Sequence, residues 1–134
     1  MAVQSCWKIV LIDDEEDIRE VLQMPLEDMG YEVLTADNAE TALSLFRAEG
    51  PDIVLTDIKM PGIDGLAVLQ QIKKIAPRTA VIVITGHGDT DLAEQAAALH
   101  AVDFINKPIK REALDAALEK ARQKLAAAGP NEDL

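Results

Sequence analysis

The sequence has one cysteine, few aromatic residues and no long apolar run. Cys6 has no second cysteine to pair with, which excludes an internal disulfide and a cysteine-based metal site. Aromatic residues make up 3% of the chain, so its core must consist of Leu, Ile, Val and Ala. Because no apolar run approaches about 18 residues and residues 1–7 lack a signal-peptide pattern, we expect a cytoplasmic protein without a membrane span.

Basic residues are also scarce, since 13 Lys and Arg face 24 Asp and Glu for a net charge of −11. The imbalance lies in one half of the chain: residues 1–67 contain 15 acidic and 4 basic residues, whereas residues 68–134 contain 9 of each. No stripe of Lys and Arg is available to bind phosphate groups. The charge therefore argues against direct binding of nucleic acid or an anionic membrane.

Five short aliphatic runs alternate with segments of helical periodicity. Runs of four or five mostly aliphatic, β-branched residues are typical of parallel strands covered on both faces. The predicted strands cover residues 9–12, 32–36, 53–56, 80–84 and 102–105. Apolar residues at helical spacing follow each run and predict five helices, with a kink at Pro25. The stripe predicted for the first helix consists of Ile18, Val21, Leu22, Leu26 and Met29.

Strict alternation of five strands and five helices predicts an α/β fold with a parallel sheet between two helical layers. We expect a single domain over residues 1–128, with its core at about 8–125. Residues 129–134 are predicted to form a short disordered tail, with no output domain. Ligands of such sheets bind outside the carboxyl ends of the strands, so the polar residues there are the candidate site.

Polar residues follow four of the five predicted strands: Asp13-Asp14, Asp57, Thr85 and Lys107-Pro108. Each has a simpler interpretation. The acidic run from Asp13 could simply begin a helix, because negative charge suits a helix amino terminus. Asp57 could begin a turn, and Thr85 could lead into a plain loop before the next helix. Lys107 could be a solvated surface residue. The proline restricts the backbone of Lys107, and the bond between them could be cis.

Together these strand ends bring three carboxylates, one hydroxyl and one ammonium group to one edge of the sheet. Unit charges 4 Å apart repel by about 4 kcal/mol at an effective dielectric of 20, so the carboxylates need a cation. Oxygen ligands favour Mg²⁺ (or Mn²⁺), which proteins commonly bind together with phosphate. The pattern predicts a site for magnesium and a phosphoryl group.

The residues resemble the receiver domain of two-component response regulators over positions 8–125. The resemblance is carried by Asp13-Asp14, by Asp57 with Met60-Pro61 and Asp64-Gly65, by Thr85-Gly86, and by Phe104 with Lys107-Pro108. It implies a flavodoxin-like, doubly wound (βα)5 three-layer sandwich. The five-stranded parallel sheet would have the order 2-1-3-4-5.

The resemblance also implies a role for each matching residue. Asp57 would be the phospho-acceptor, and Lys107 would pair with the phosphoryl group. Asp13, Asp14, Asp57 and the backbone carbonyl of Lys59 would hold the metal. Thr85 and Phe104 would form the switch. Lys59 and His87, each two residues beyond a site residue, would tune dephosphorylation.

Two positions carry a further expectation. Phe104 has a simpler interpretation as a buried core residue, since an aromatic side chain in a short strand is usually buried. His100 stands where the family more often has Gly, so a turn that needs a positive φ there would be slightly strained.

The implied function is a signalling switch that takes a phosphoryl group from the phosphohistidine of a sensor histidine kinase or histidine phosphotransfer protein. It would not be a conventional enzyme, although it would catalyse its own phosphorylation and slow autodephosphorylation at Asp57. Phosphorylation would repack the face of the fourth helix, fifth strand and fifth helix for a downstream protein, a covalently linked effector or dimerisation. Two alternatives stay open: a Mg²⁺-dependent aspartyl-phosphate phosphohydrolase, and a docking module independent of phosphorylation.

Overall fold

Strands and helices alternate along the whole described chain. The computed structural model describes residues 7–58, 65–86 and 90–128. The strands are β1 (Lys8–Ile12), β2 (Glu32–Ala36), β3 (Ile53–Asp57), β4 (Ala80–Thr85) and β5 (Asp103–Asn106). The helices are α1 (Glu16–Asp28), α2 (Ala39–Glu49), α3 (Gly65–Ile75), α4 (Thr90–Ala98) and α5 (Arg111–Ala128).

All strand pairs are parallel, and the sheet has the order β2-β1-β3-β4-β5. Aliphatic side chains cover both of its faces because neighbouring residues of a strand point in opposite directions. Ile9 and Leu11 of β1 pack with α1 and α5, whereas Val10 and Ile12 pack with α2, α3 and α4. The predicted three-layer α/β architecture and strand order are therefore confirmed.

The helix ends follow local chemistry. Asn38 caps α2, since its side-chain oxygen accepts a hydrogen bond from the Thr41 amide at 2.8 Å. Gly50 ends the same helix in the left-handed conformation, with φ 58°. His100 has φ 74° just after α4, so the positive φ expected there is confirmed. Among the described helices, none combines the length and apolar character needed to cross a bilayer.

Two details of α1 differ from a simple apolar stripe. Val21 is 67% exposed, because the helix buries a narrower face through Leu22 and Leu26. The inclusion of Val21 in the core stripe was therefore wrong. The helix also continues through Pro25 to Asp28, and the kink predicted there stays a prediction.

Candidate functional site

The candidate site lies where β1, β3, β4 and β5 end at one edge of the sheet. Hydrogen bonds continue the strand pairing past the strand ends and set their relative positions. The Asp13 amide donates to the Ala36 carbonyl at 3.1 Å, and the Lys107 amide donates to the Thr85 carbonyl at 2.7 Å. Parallel strands thus bring Asp13, Asp57 and Lys107 into one pocket, although 44 positions separate the first two and 50 the last two.

The acidic run after β1 divides into two parts. The helix begins at Glu16, so Glu16 and Asp17 occupy its first turn, where negative charge complements the helix dipole. Asp13 and Asp14 precede the helix and belong to the pocket. Asp13 is 0% exposed, whereas Asp14 is exposed. The helix-start interpretation therefore explains only the later acids.

The Asp13 carboxylate is only half satisfied by hydrogen bonds. Its Oδ1 accepts a bond from the Glu15 amide at 2.9 Å, while its buried Oδ2 has no hydrogen-bond partner in the described structure. Burial raises the pKa of Asp13 to about 6, and the charge of Asp57 adds to the effect. The Glu15 amide and Lys107 oppose the rise without cancelling it.

Lys107 supplies the positive charge of the pocket. Its ammonium group donates to Asp57 Oδ2 at 3.0 Å and to Glu15 Oε1 at 3.4 Å, and lies 3.9 Å from Asp13 Oδ2. Burial opposes the charged form of Lys107, but the hydrogen bond and charge of Asp57 outweigh it, so the Lys107 pKa is raised. One ammonium therefore serves several carboxylates.

The three aspartates fit a divalent cation. Asp13, Asp14 and Asp57 each offer a carboxylate oxygen, and these oxygens lie within 4.8 Å of one another. The donor set contains oxygen only, which suits Mg²⁺ or Mn²⁺ rather than zinc. Asp13 Oδ2 supplies an independent reason, because a buried acceptor without a hydrogen bond costs free energy that a cation would recover.

Thr85 reaches the same edge, but its hydroxyl group is turned to the neighbouring strand. The side chain is 1% exposed, and Oγ1 donates to Asn106 Oδ1 at 2.7 Å. Asn106 is the register partner of Thr85 in the β4–β5 pair. The structure therefore holds Thr85 beside the acidic pocket in a hydrogen bond that the sequence did not indicate.

Phe104 is 43% exposed on β5, so its simpler interpretation as a buried core residue was wrong. β5 lies at one edge of the sheet, beside β4. The bond between Lys107 and Pro108 is cis. Lys59, His87 and the motif at 60–64 lie outside the described residues.

Two contributing residues were not singled out from the sequence. The Arg19 guanidinium, on the first turn of α1, donates to the Asp13 carbonyl at 2.7 Å and thereby fixes the backbone at the end of β1. Asn106 holds the Thr85 hydroxyl. The position of Asn106 directly before Lys107 at a strand end is a weak indication in the sequence that it belongs to the site. No feature of the sequence indicates a role for Arg19.

Comparison with known proteins identifies the family of this chain. A family model described as "Response regulator receiver domain" matches residues 9–119, so the chain belongs to that family. It is 40% identical over 116 residues to the C4-dicarboxylate transport transcriptional regulatory protein DctD of Rhizobium meliloti (strain 1021), covering 87% of this chain and 25% of that protein. It is 39% identical over 111 residues to the DNA-binding transcriptional regulator NtrC of Salmonella typhimurium, covering 83% of this chain and 24% of that protein.

Solved structures show the same fold. A response regulator receiver domain protein from Clostridium thermocellum superposes with a TM-score of 0.81 at 38% identity, covering 91% of this chain and 96% of that one. The chain is thus a receiver domain of two-component response regulators, and it spans about a quarter of the length of the curated relatives named above. Family membership favours the signalling switch over the phosphohydrolase.

Proposed function

We propose that Asp57 accepts a phosphoryl group from the phosphohistidine of a sensor histidine kinase or histidine phosphotransfer protein. The observation that carries the proposal is the pairing of Asp57 Oδ2 with Lys107 at 3.0 Å beside two further aspartates. Asp57 is 5% exposed, and its ion pair with Lys107 holds the carboxylate in place. A positioned carboxylate is a competent nucleophile for an acyl phosphate.

The reaction needs charge neutralisation and alignment more than covalent assistance. A carboxylate oxygen of Asp57 forms a bond to phosphorus while the phosphorus–nitrogen bond of the donor breaks, and the released imidazole takes a proton from solvent. Mg²⁺ (or Mn²⁺) held by Asp13, Asp14, Asp57 and the Lys59 carbonyl would supply the positive charge that the acidic pocket lacks. Lys107 holds the acceptor carboxylate before transfer and pairs with the phosphoryl oxygens afterwards.

The switch begins at the hydrogen bond between Thr85 and Asn106. A phosphoryl group on Asp57 presents new acceptor oxygens, and the Thr85 hydroxyl leaves Asn106 to donate to them. Phe104 then turns inward from its half-exposed position, which repacks α4, β5 and α5. Such a change requires a contact that differs between two packed states, and the Thr85 hydroxyl provides one.

The proposed partners are based on the length of the relatives and on the exposed face of α4, β5 and α5. Because the relatives are about four times longer, we propose a covalently linked effector or a separate downstream protein, and a phosphorylation-dependent dimer through α4, β5 and α5. We also propose a cytoplasmic location, because the relatives DctD and NtrC are transcriptional regulators. Lys59 and His87 are proposed to set the rate of slow autodephosphorylation, on the strength of their positions two residues after Asp57 and Thr85.

Labelling with acetyl phosphate or phosphoramidate tests the proposal. Intact-mass spectrometry should show one added phosphoryl group in the presence of Mg²⁺ and none in EDTA. Asp57→Asn should lose the label, whereas Asp28→Asn, an exposed control at the end of α1, should keep it. Labelling that persists in Asp57→Asn would assign the acceptor elsewhere, and no labelling of the wild type would favour the docking module.

A further inference from the structure

The hydroxyl group of Thr85 is committed to one acceptor in the unphosphorylated protein. Thr85 is 1% exposed, and its Oγ1 donates to Asn106 Oδ1 at 2.7 Å. A threonine hydroxyl carries a single proton, so it donates to one acceptor at a time. A hydrogen bond from Thr85 to a phosphoryl oxygen must therefore replace the bond to Asn106.

The end of β5 contacts both parts of the site through consecutive residues. Asn106 is the register partner of Thr85, and the next residue, Lys107, donates from its Nζ to Asp57 Oδ2 at 3.0 Å. The Lys107 amide also donates to the Thr85 carbonyl at 2.7 Å, which fixes the backbones of the two strands relative to each other. One strand end thus contacts both the Thr85 hydroxyl and the acceptor carboxylate.

The two partners of the Thr85–Asn106 bond differ in their access to water. Asn106 is exposed, so water can replace the hydroxyl at its amide oxygen at little cost. Thr85 is buried, so its hydroxyl needs another acceptor when the bond breaks, and phosphoryl oxygens on Asp57 would supply one. The net free energy of one such bond, equivalent to a roughly two- to tenfold change in an equilibrium constant, opposes the switch.

We propose that Asn106 is a positioning residue that holds the Thr85 hydroxyl away from the acceptor and so lowers the affinity of the pocket for a phosphoryl group. This role rests on the phospho-acceptor role proposed for Asp57. Asn106 acts through Thr85 rather than by contact with the phosphoryl group. Removal of its side chain releases the hydroxyl, which favours the state in which Thr85 donates toward Asp57 and Phe104 turns inward.

Beryllofluoride, an analogue of a phosphoryl group that binds a carboxylate together with Mg²⁺, tests this role by titration at fixed Mg²⁺. Asn106→Ala should bind beryllofluoride roughly two- to tenfold more tightly than the wild type, as followed by backbone amide resonances. Gln70→Ala, which removes an exposed amide from α3, should bind it as the wild type does. Without beryllofluoride, the ring resonances of Phe104 in Asn106→Ala should shift toward their positions in the wild-type complex.

A double-mutant cycle separates this role from a general structural effect of Asn106. Thr85→Val removes the hydroxyl and keeps the shape of the side chain, so it should weaken beryllofluoride binding. In that background Asn106→Ala should leave the affinity unchanged, because there is no hydroxyl to release. An equal gain in both backgrounds, or no gain in the wild-type background, would overturn the role of Asn106 and leave Asp57 as the acceptor. Failure of the wild type to bind beryllofluoride would instead overturn the role of Asp57 and, with it, that of Asn106.

Discussion

The buried carboxyl group of Asp13 should destabilise the protein when no metal is bound. It is 0% exposed, its Oδ2 has no hydrogen-bond partner in the described structure, and its pKa is raised from 3.8 to about 6. A shift of about two pKa units corresponds to about 3 kcal/mol at 1.36 kcal/mol per unit. Asp13→Asn removes the charge and keeps an oxygen for the Glu15 amide, so we expect a gain of about 1–3 kcal/mol at pH 7.5.

The sign of the pH dependence follows from the raised pKa. The native state binds the Asp13 proton more tightly than the unfolded state does, so ionisation costs stability as pH rises from about 4 to about 6. Below pH 4 both states are protonated, and the variant should gain nothing from the lost charge. At pH 5 the gain should be about half of its value at pH 7.5.

Urea denaturation in EDTA at pH 5 and pH 7.5 measures these gains. Asp14→Asn is the matched control, because that side chain is exposed and should change stability by less than about 0.5 kcal/mol. Added Mg²⁺ should stabilise the wild type by about 2.7 kcal/mol at a hundredfold excess over its dissociation constant, and Asp13→Asn far less. An Asp13→Asn protein that is less stable than wild type in EDTA, or equally stabilised at both pH values, would refute the reasoning.

Three further changes have defined outcomes. His100→Gly should stabilise the protein by about 1 kcal/mol in urea denaturation, because glycine adopts the observed φ of 74° without strain. Asn38→Ala should cost about 1 kcal/mol in the same assay, because the Thr41 amide loses its cap. Lys107→Met should slow labelling of Asp57 at least roughly tenfold, measured by intact mass, while stabilisation by Mg²⁺ persists.

Conservative variants check each cause. His100→Ala should not gain stability, since alanine has the same Cβ strain at positive φ; an equal gain would point to removal of the imidazole. Asn38→Asp should retain the cap, and a loss as large as that of Asn38→Ala would contradict the capping explanation. Lys107→Arg keeps a cation and should retain more labelling than Lys107→Met; equal rates would mean that charge at this position is not what matters.

The sequence alone determined the architecture and the composition of the pocket. Aliphatic runs of strand length, separated by helical periodicity, leave few folds other than a parallel sheet between helices. The carboxyl ends of parallel strands share one edge, so residues 13, 57, 85 and 107 had to meet there. Both inferences rest on local patterns that need no knowledge of which distant residues touch.

Tertiary structure alone decided the burial and the hydrogen-bond partners of each of these residues. Asp13 and Asp14 are adjacent in sequence, yet only Asp13 is buried, because burial depends on the elements packed around the end of β1. Thr85 donates to Asn106 because β5 lies beside β4, and Phe104 is half-exposed although its strand neighbour Ile105 is buried. Contacts between elements set burial, charge state and hydrogen bonding, and no local pattern encodes them.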